Sequence, residues 1–314
     1  MNRRKYLITG ASGFIGSCLL RKLIEDDQSV DIIIRRKSNI WRIKDLMPKV
    51  GIHYSDLSSS RDLFKIFKSI KPDVIYHLAT NGAYSYQNDP DSIIKTNILG
   101  TWNLLKASLS VDFELFVNTG TSSEYGSKKS KMAESDLLEP DSYYAITKCT
   151  QTLLSSFVAK FEKRPIVTLR PFSVYGPFEE PTRLIPTLMR ALLFKNEMNL
   201  VNPKVARDMI YIDDIVQFYL MVDKLKKCSG DYFNVCTGTQ STIKDIVETA
   251  MRVSGESTQF KWGGMENRSW DKSVWVGDNT KAKNKLNWSP KFALEEGLLK
   301  MWKWYKNNYR LYNK

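Results

Sequence analysis

Two groups of residues in this chain have the types and spacing to do chemistry. Tyr144 and Lys148 stand four apart in the run Tyr144-Ala145-Ile146-Thr147-Lys148. On a helix, that spacing puts both on one face. An ammonium beside a phenol favours the phenolate and lowers the tyrosine pKa. Such a tyrosine can pass a proton to or from a hydroxyl while a hydride moves to or from a nicotinamide. The spacing alone recurs by chance in many helices. It gains force from a run of hydroxyls, Thr119-Gly120-Thr121-Ser122-Ser123, because hydroxyls at the carboxyl end of a parallel strand face a ligand crevice. Thr121 can then hydrogen-bond the same oxygen that Tyr144 protonates.

The second group is Thr9-Gly10-Ala11-Ser12-Gly13-Phe14-Ile15-Gly16, with glycines spaced G-x-x-G-x-x-G. Gly10 permits a tight turn, Gly13 lets a pyrophosphate approach the backbone, and Gly16 lets the helix pack close to the sheet. The helix N-terminus offers unpaired N–H groups and a positive dipole to the phosphates. About 20 residues on, at the end of the second strand, an acid would hold a ribose 2′-hydroxyl. This chain has Arg35, Arg36, Lys37 and Ser38 there. Guanidinium forks match a 2′-phosphate, which a carboxylate would repel, so NADP(H) is preferred and NAD stays open. Asp56, after the third strand, suits either the adenine amine or a helix cap.

These residues need a frame. Apolar runs at Tyr6–Thr9, Val30–Ile34, Val74–His77, Leu115–Thr119 and Ile166–Arg170 read as strands. Helical patterns lie between them, near Gly13–Glu25, Ser60–Ser69, Ser92–Ser110 and Tyr143–Glu162. The alternation predicts an α/β fold with a doubly wound parallel sheet of Rossmann type. After Arg170 the texture changes, with Pro171, Pro177, Pro181, Pro186 and Pro203 interrupting long elements. Helices follow near Leu184–Phe194, Ile212–Lys224, Ile243–Val253 and Ala293–Tyr309, with a strand at Tyr232–Val235. The expected division is a dinucleotide-binding domain over residues 1–168, re-entered by about 208–236. A smaller C-terminal α/β substrate domain takes 169–207 and 237–314.

Composition bounds the rest. The 314 residues include 47 basic and 34 acidic ones, for a net charge of +13. The basic residues fall in short groups, such as Arg3-Arg4-Lys5 and Lys224 to Lys227, rather than one tract. A solvated surface explains them better than nucleic acid. No apolar run approaches the roughly 20 residues that span a bilayer. The four cysteines, Cys18, Cys149, Cys228 and Cys236, lack metal or redox spacing. A cytoplasmic protein without disulfides or a metal is expected.

At this point the sequence resembles the extended short-chain dehydrogenase/reductases that act on nucleotide sugars. The resemblance covers nearly the whole chain. It rests on TGASGFIG (Thr9–Gly16), YSDLSS (Tyr54–Ser59), HLA (His77–Ala79), TNILGTWNLL (Thr96–Leu105) and TGTSSEYG (Thr119–Gly126). It continues through YYAITK (Tyr143–Lys148), LRPFSVYGP (Leu169–Pro177), RDMIYIDD (Arg207–Asp214) and NKLNWSPKFALEEGL (Asn284–Leu298). It implies that Thr121, Tyr144 and Lys148 are catalytic and that Asn97 supports the lysine through the adjoining helix. It implies a cofactor site made of Gly10, Ser12, Gly13, Phe14, Ile15, Gly16, Arg35, Arg36, Ser38, Asp56, Leu57, Leu78, Ala79 and Lys148. Thr80, Ser122, Ser123, Ser173 and Arg207 would face a nucleotide-diphosphate sugar. It also implies a homodimer through the helices near Ser92–Ser110 and Tyr143–Glu162, though core packing would explain their apolar faces as well.

Departures from the family pattern bear on the reaction. The family's 4,6-dehydratases place an acid pair just after the catalytic threonine. This chain has Ser122 and Ser123 there, then Glu124, which disfavours dehydration and leaves Glu124 as its one carboxylate. Ser173 replaces an asparagine that often contacts the diphosphate. Arg207 suits a diphosphate, with a salt bridge to Asp208 or a neighbouring acid as the structural alternative. His77 is expected to be structural, and His53 has no role. Trp262, Trp270 and Trp275 are expected to pack rather than stack on ligand. The expected reaction is NADPH-dependent reduction of a nucleotide 4-keto-6-deoxyhexose. The alternative is an NAD-dependent 4-epimerase, and a non-catalytic cofactor sensor is disfavoured by the intact Tyr144 and Lys148.

Overall fold

Four-residue apolar runs such as Val74-Ile75-Tyr76-His77 carry no polar face, so they can only be strands covered on both sides. A computed structural model, which describes residues 4–266 and 271–312, shows them as such. Strands β1 (Lys5–Thr9), β2 (Ser29–Ile34), β3 (Gly51–Tyr54), β4 (Val74–His77), β5 (Leu115–Thr119) and β6 (Ile166–Pro171) join Tyr232–Val235 in one seven-stranded sheet. Its order is Tyr232–Val235, β6, β5, β4, β1, β2, β3, and the strands from β6 to β3 pair in parallel. β4, β5 and β6 are buried throughout, whereas the edge strand β3 is half exposed. That exposure is why β3 carried no clear apolar run in the sequence. The chain runs outward from β1 to β3, then returns to β4 on the other side of β1. The carboxyl ends of β1 and β4 are therefore the switch point at which such sheets bind ligands.

Helices α1 (Phe14–Glu25), α2 (Ser60–Ile70), α3 (Pro90–Ile94), α4 (Gly100–Ser108) and α5 (Tyr143–Phe161) connect these strands. The helix expected over Ser92–Ser110 is not continuous. A π-helical turn, Lys95–Leu99, separates α3 from α4. On one sheet face Leu63 and Phe67 of α2, Leu104, Leu105 and Ala107 of α4, and Val158 and Ala159 of α5 pack with Leu7, Ile75, Phe116 and Ile166. The helix expected over Ile212–Lys224 also divides, into Ile212–Tyr219 and Val222–Leu225.

By contacts the chain forms two units. The first comprises Met1–Gly126, Leu137–Arg170 and Val216–Phe233; the second comprises Ser127–Asp136, Pro171–Ile215 and Asn234–Lys314. The second unit holds the helices Leu184–Phe194, Ile243–Ser254, Thr280–Leu286 and Leu294–Asn308, with three two-stranded sheets. Among the described residues no helix is long and apolar enough to cross a membrane. No group of three or more His, Cys, Asp or Glu there could hold a metal ion. The four cysteines are free thiols.

Candidate active site

The glycine loop leaves β1 through Gly10, whose φ of +75° is a left-handed conformation that glycine adopts at least cost. A Cβ at Gly10 would overlap the backbone of Leu78 and Ala79 at the end of β4. Leu78 and Ala79 thus border the loop. A Cβ on Gly16 would strike the Gly10 carbonyl, so this glycine sets how closely α1 approaches the turn. Gly13 differs: its missing Cβ would lie 3.2 Å from the Gly10 oxygen and meet nothing else within 4 Å. Helix α1 begins there with no side-chain cap and no acid in its first turn. Bare N–H groups, an uncapped dipole and open space above Gly13 fit a dinucleotide diphosphate.

At the end of β2, Arg35 and Arg36 are exposed. The Arg36 guanidinium lies 5.0 Å from the ring centre of Tyr54. The Ser38 hydroxyl accepts the Arg35 N–H at 3.0 Å, which shapes the turn. The acid in β2, Asp31, is held by His53 Nε2 at 2.7 Å. His53, given no role from sequence, therefore engages the one carboxylate of β2. Asp56 takes the N–H and hydroxyl of Ser58 at 2.9 and 2.8 Å, the arrangement of a turn before a helix. Those bonds, the backbone one foremost, hold its carboxyl below the usual range.

The hydroxyl run leaves β5 and turns at once into a short 3₁₀ helix, Ser122–Tyr125, capped by Thr121. Thr121 Oγ1 accepts the Ser123 N–H at 3.2 Å, and Glu124 Oε1 accepts the Thr121 N–H at 2.9 Å. Helix α5 lies against this turn. Its Lys148 Nζ donates to the Thr119 carbonyl, and its Cys149 Sγ donates to the Glu124 carbonyl at 3.6 Å. Lys148 is buried, and desolvation draws its pKa down to about 8, opposed by the charge of Glu124. Tyr144, one turn earlier on the same face, is partly exposed. The loop after β4 reaches it: a Cβ on Gly82 would lie 3.3 Å from Tyr144 Cβ. The structure thus brings Thr121, Tyr144 and Lys148 to the same end of β5 and α5. Tyr219 joins them there, sharing a 2.6 Å hydrogen bond with Thr119 Oγ1. Nothing in its local sequence announced it.

Asn97 is fully buried in the π-helical turn. Its side-chain oxygen accepts the Asn81 N–H at 2.8 Å and the Thr80 hydroxyl at 3.3 Å. Its amide donates to the Asn81 carbonyl at 2.8 Å and to Thr147 Oγ1 at 2.9 Å. The side chain therefore reaches α5 through Thr147, the neighbour of Lys148, rather than through the lysine itself. His77 is buried between Thr9 Oγ1 at 2.7 Å and Thr101 Oγ1 at 2.8 Å. Burial drives its pKa down to about 3, so it is a neutral structural residue. The Gln151 side-chain amide completes this buried cluster, reaching His77 Nε2 at 3.2 Å and donating to Thr101 Oγ1, while the Thr101 hydroxyl donates to the Asn97 carbonyl at 2.6 Å.

Glu124 is the carboxylate that the sequence left open for a dehydration. It is fully buried, and its Oε2 accepts Arg170 Nη2 at 2.8 Å and Nε at 2.9 Å. Burial pushes its carboxyl up, while the guanidinium and the Thr121 N–H oppose this. It is turned inward, with both oxygens taken by the Thr121 N–H and Arg170. Ser122 is buried and Ser123 half-buried beside it, so the turn offers no free carboxylate.

In the second unit, Arg207 pairs with Asp271 at 2.7 Å, not with Asp208, and its guanidinium lies 5.7 Å from the ring centre of Trp275. Asp208 instead accepts the backbone N–H groups of Thr237, Gly238 and Gly277 and the Thr237 hydroxyl. The Ser173 N–H donates to the Asp208 carbonyl at 3.0 Å. Trp275 is buried and Trp262 exposed, and Trp270 lies outside the described residues.

A family model described as GDP-mannose 4,6-dehydratase matches residues 7–301 of the chain. The chain belongs to this family, within the extended short-chain dehydrogenase/reductases. It is an NAD(P)-dependent enzyme of that class. Among its relatives is an uncharacterised UDP-glucose epimerase, YtcB, of Bacillus subtilis (strain 168), 28% identical over 94% of this chain and 95% of the relative. Among solved family structures, UDP-glucuronic acid 4-epimerase from Bacillus cereus, in complex with UDP-glucuronic acid and NAD, superposes with a TM-score of 0.85. That protein is 28% identical, covering 96% of this chain and 99% of its own. UDP-glucose 4-epimerase from Thermotoga maritima, with UDP-glucose, gives a TM-score of 0.88 at 25% identity, over 97% and 99%.

Proposed function

We propose that the protein reduces the 4-keto group of a nucleotide-activated 6-deoxyhexose with NADPH, with Tyr144 as the acid. The observation that carries this reading is the corner after β2. Two exposed guanidiniums, Arg35 and Arg36, stand where a carboxylate would bind the ribose hydroxyls, and the neighbouring Asp31 is spent on His53. Among the described residues no salt bridge holds either guanidinium: Arg35 acts on Asp56 only through its charge, and Arg36 lies over the Tyr54 ring, which leaves the N–H groups of both to a 2′-phosphate. Net reductions draw on NADPH.

When bound, the nicotinamide supplies a hydride to the sugar carbonyl carbon. This chain's residues do the rest. Tyr144 delivers a proton to the carbonyl oxygen as negative charge develops there. Lys148, kept as an ammonium at neutral pH, makes that phenol more acidic. The Thr121 hydroxyl orients the same oxygen, and Asn97 holds Thr147 and the loop from Thr80 to Gly82 against α5. Ser122, Ser123 and Thr80 are proposed to contact the sugar, and Ser173 and Arg207 the diphosphate. Apolar side chains on exposed helix faces, Ile146, Leu153, Phe157 and Phe161 on α5 with Trp102 on α4 and Leu99 just before it, suit a second copy of the chain.

A second reading, a nucleotide-sugar 4-epimerase with tightly held NAD, is favoured by the similarity to the Bacillus cereus and Thermotoga maritima enzymes. The same three residues would serve it, with Tyr144 acting first as base. One experiment separates the two: the purified protein is denatured and the released nucleotide identified. An empty site, together with NADPH consumption on a 4-keto-6-deoxyhexose nucleotide, supports the reductase. Stoichiometric NAD overturns it in favour of the epimerase.

A further inference from the structure

We propose that Glu124 and Arg170 are a positioning pair that fixes the main chain of Thr121 by dividing one carboxylate between two donors. The proposal rests on the assignment of Thr121 to the substrate oxygen. Glu124 Oε1 is taken by the Thr121 N–H, and Oε2 by the Arg170 Nε and Nη2. Arg170 sits on β6, the neighbour of β5, so the anchor is the sheet itself. Its remaining arm donates from Nη1 to the Tyr125 hydroxyl at 2.9 Å. The guanidinium lies 4.8 Å from the Tyr125 ring centre and 4.4 Å from that of Tyr232. Neither charged group is open to solvent or substrate, which leaves an indirect role.

Gly120 shows how closely the device is fitted. A Cβ there would overlap Glu124 Oε1, so only glycine lets the carboxylate pass beneath the chain to reach the next N–H. The same turn directs the Thr121 hydroxyl, which accepts the Ser123 N–H. Main chain and hydroxyl are thus set together. Two acceptor atoms are essential, because Thr121 and Arg170 approach different oxygens. Glutamine has only one. The charged guanidinium would claim that oxygen, turning the amide NH₂ toward the Thr121 N–H and pushing the threonine out of place.

The test compares Glu124→Gln in the wild-type and Thr121→Ala backgrounds, using NADPH and the 4-keto-6-deoxyhexose nucleotide that the wild type reduces fastest. Thermal melts set an assay temperature at which every variant is folded. In the wild-type background, kcat is expected to fall about tenfold or more while KM for NADPH stays within about twofold. In the Thr121→Ala background the same change is expected to cost less than about twofold, because the group it acts through is gone. Glu124→Gln combined with Arg170→Met frees the amide oxygen for Thr121 and removes the unpaired charge. This double variant is expected to recover most of the lost kcat, and it carries the test alone if Glu124→Gln does not fold. Amide hydrogen exchange at Thr121 is expected to accelerate in Glu124→Gln and to slow again in the double variant. An equal loss of kcat in both backgrounds, or no recovery in the double variant, overturns the proposal. Full turnover by Thr121→Ala itself overturns the assignment of Thr121, and a changed exchange rate at its amide would then show the linkage to be structural only.

Discussion

Replacing Lys148 with methionine is expected to stabilise the cofactor-free protein at neutral pH while ending its catalysis. Lys148 is 2% exposed, and burial draws its pKa from 10.5 to about 8. Below pH 8 the lysine is protonated in both folded and unfolded chains, so folding bears the full cost of burying an ammonium. At 1.36 kcal/mol per pH unit, that cost is about 3 kcal/mol. Between pH 8 and 10.5 the unfolded chain binds more protons, so stability rises with pH through this window and the cost is gone above it. Methionine matches the length of the side chain without its charge. It leaves the Thr119 carbonyl without its donor, which takes back about 1 kcal/mol. The net gain is about 2 kcal/mol at pH 7, falls to about zero near pH 10, and becomes a loss of about 1 kcal/mol above pH 10.5, where only the missing hydrogen bond remains. Urea midpoints of the two proteins at pH 7 and pH 10 check this directly. A methionine variant less stable at pH 7, or equally stabilised at both pH values, would show the reasoning about Lys148 to be wrong.

Other outcomes follow from the same geometry. Tyr144→Phe should lower turnover by about two to four orders of magnitude, the scale of a general acid, while NADPH affinity by fluorescence titration changes little. Arg35→Asp with Arg36→Ala should weaken NADPH by about 1–3 kcal/mol, because the two exposed guanidiniums gain less than buried ones. NADH should bind as before or better, and parallel titrations with the two cofactors read the difference. Asn97→Ala removes the side-chain partner of the half-buried Asn81 N–H and carbonyl and one of the two partners of the buried Thr147 hydroxyl, which still donates to the Tyr144 carbonyl. It should cost about 1–3 kcal/mol in chemical denaturation. Gly16→Ala should abolish cofactor binding, since its methyl group collides with the Gly10 carbonyl.

What the sequence revealed was whatever is encoded locally. The loop from Gly10 to Gly16 declares itself because its three glycines keep a fixed spacing within one strand–turn–helix unit, although the chain that crowds Gly10, at Leu78 and Ala79, is remote in sequence. Strands β4 to β6 were legible because burial on both faces demands unbroken apolar runs. β3 was harder to place because an edge strand with half-exposed Ile52 and His53 has no such run. The π-helical turn at Lys95–Leu99 escaped because it inserts an extra residue into an otherwise regular helix, and composition does not register that. The candidate site was legible in Thr121, Tyr144 and Lys148, whose spacing lies within two elements. Roles that depend on partners remote in sequence were not. Glu124 reads as a free acid until Arg170, 46 residues later, is seen across the sheet. Arg207 likewise finds Asp271, not its sequence neighbour Asp208.

The central claim is tested most directly by following the hydride. NADPH carrying deuterium at the transferable position of its nicotinamide is mixed with a 4-keto-6-deoxyhexose nucleotide and the protein, and the product is analysed by NMR. Deuterium at C4 of the sugar, formed by the wild type and not by Tyr144→Phe with cofactor still bound, is the expected result. Product without label at C4, or labelled product at the wild-type rate from Tyr144→Phe, would contradict the account.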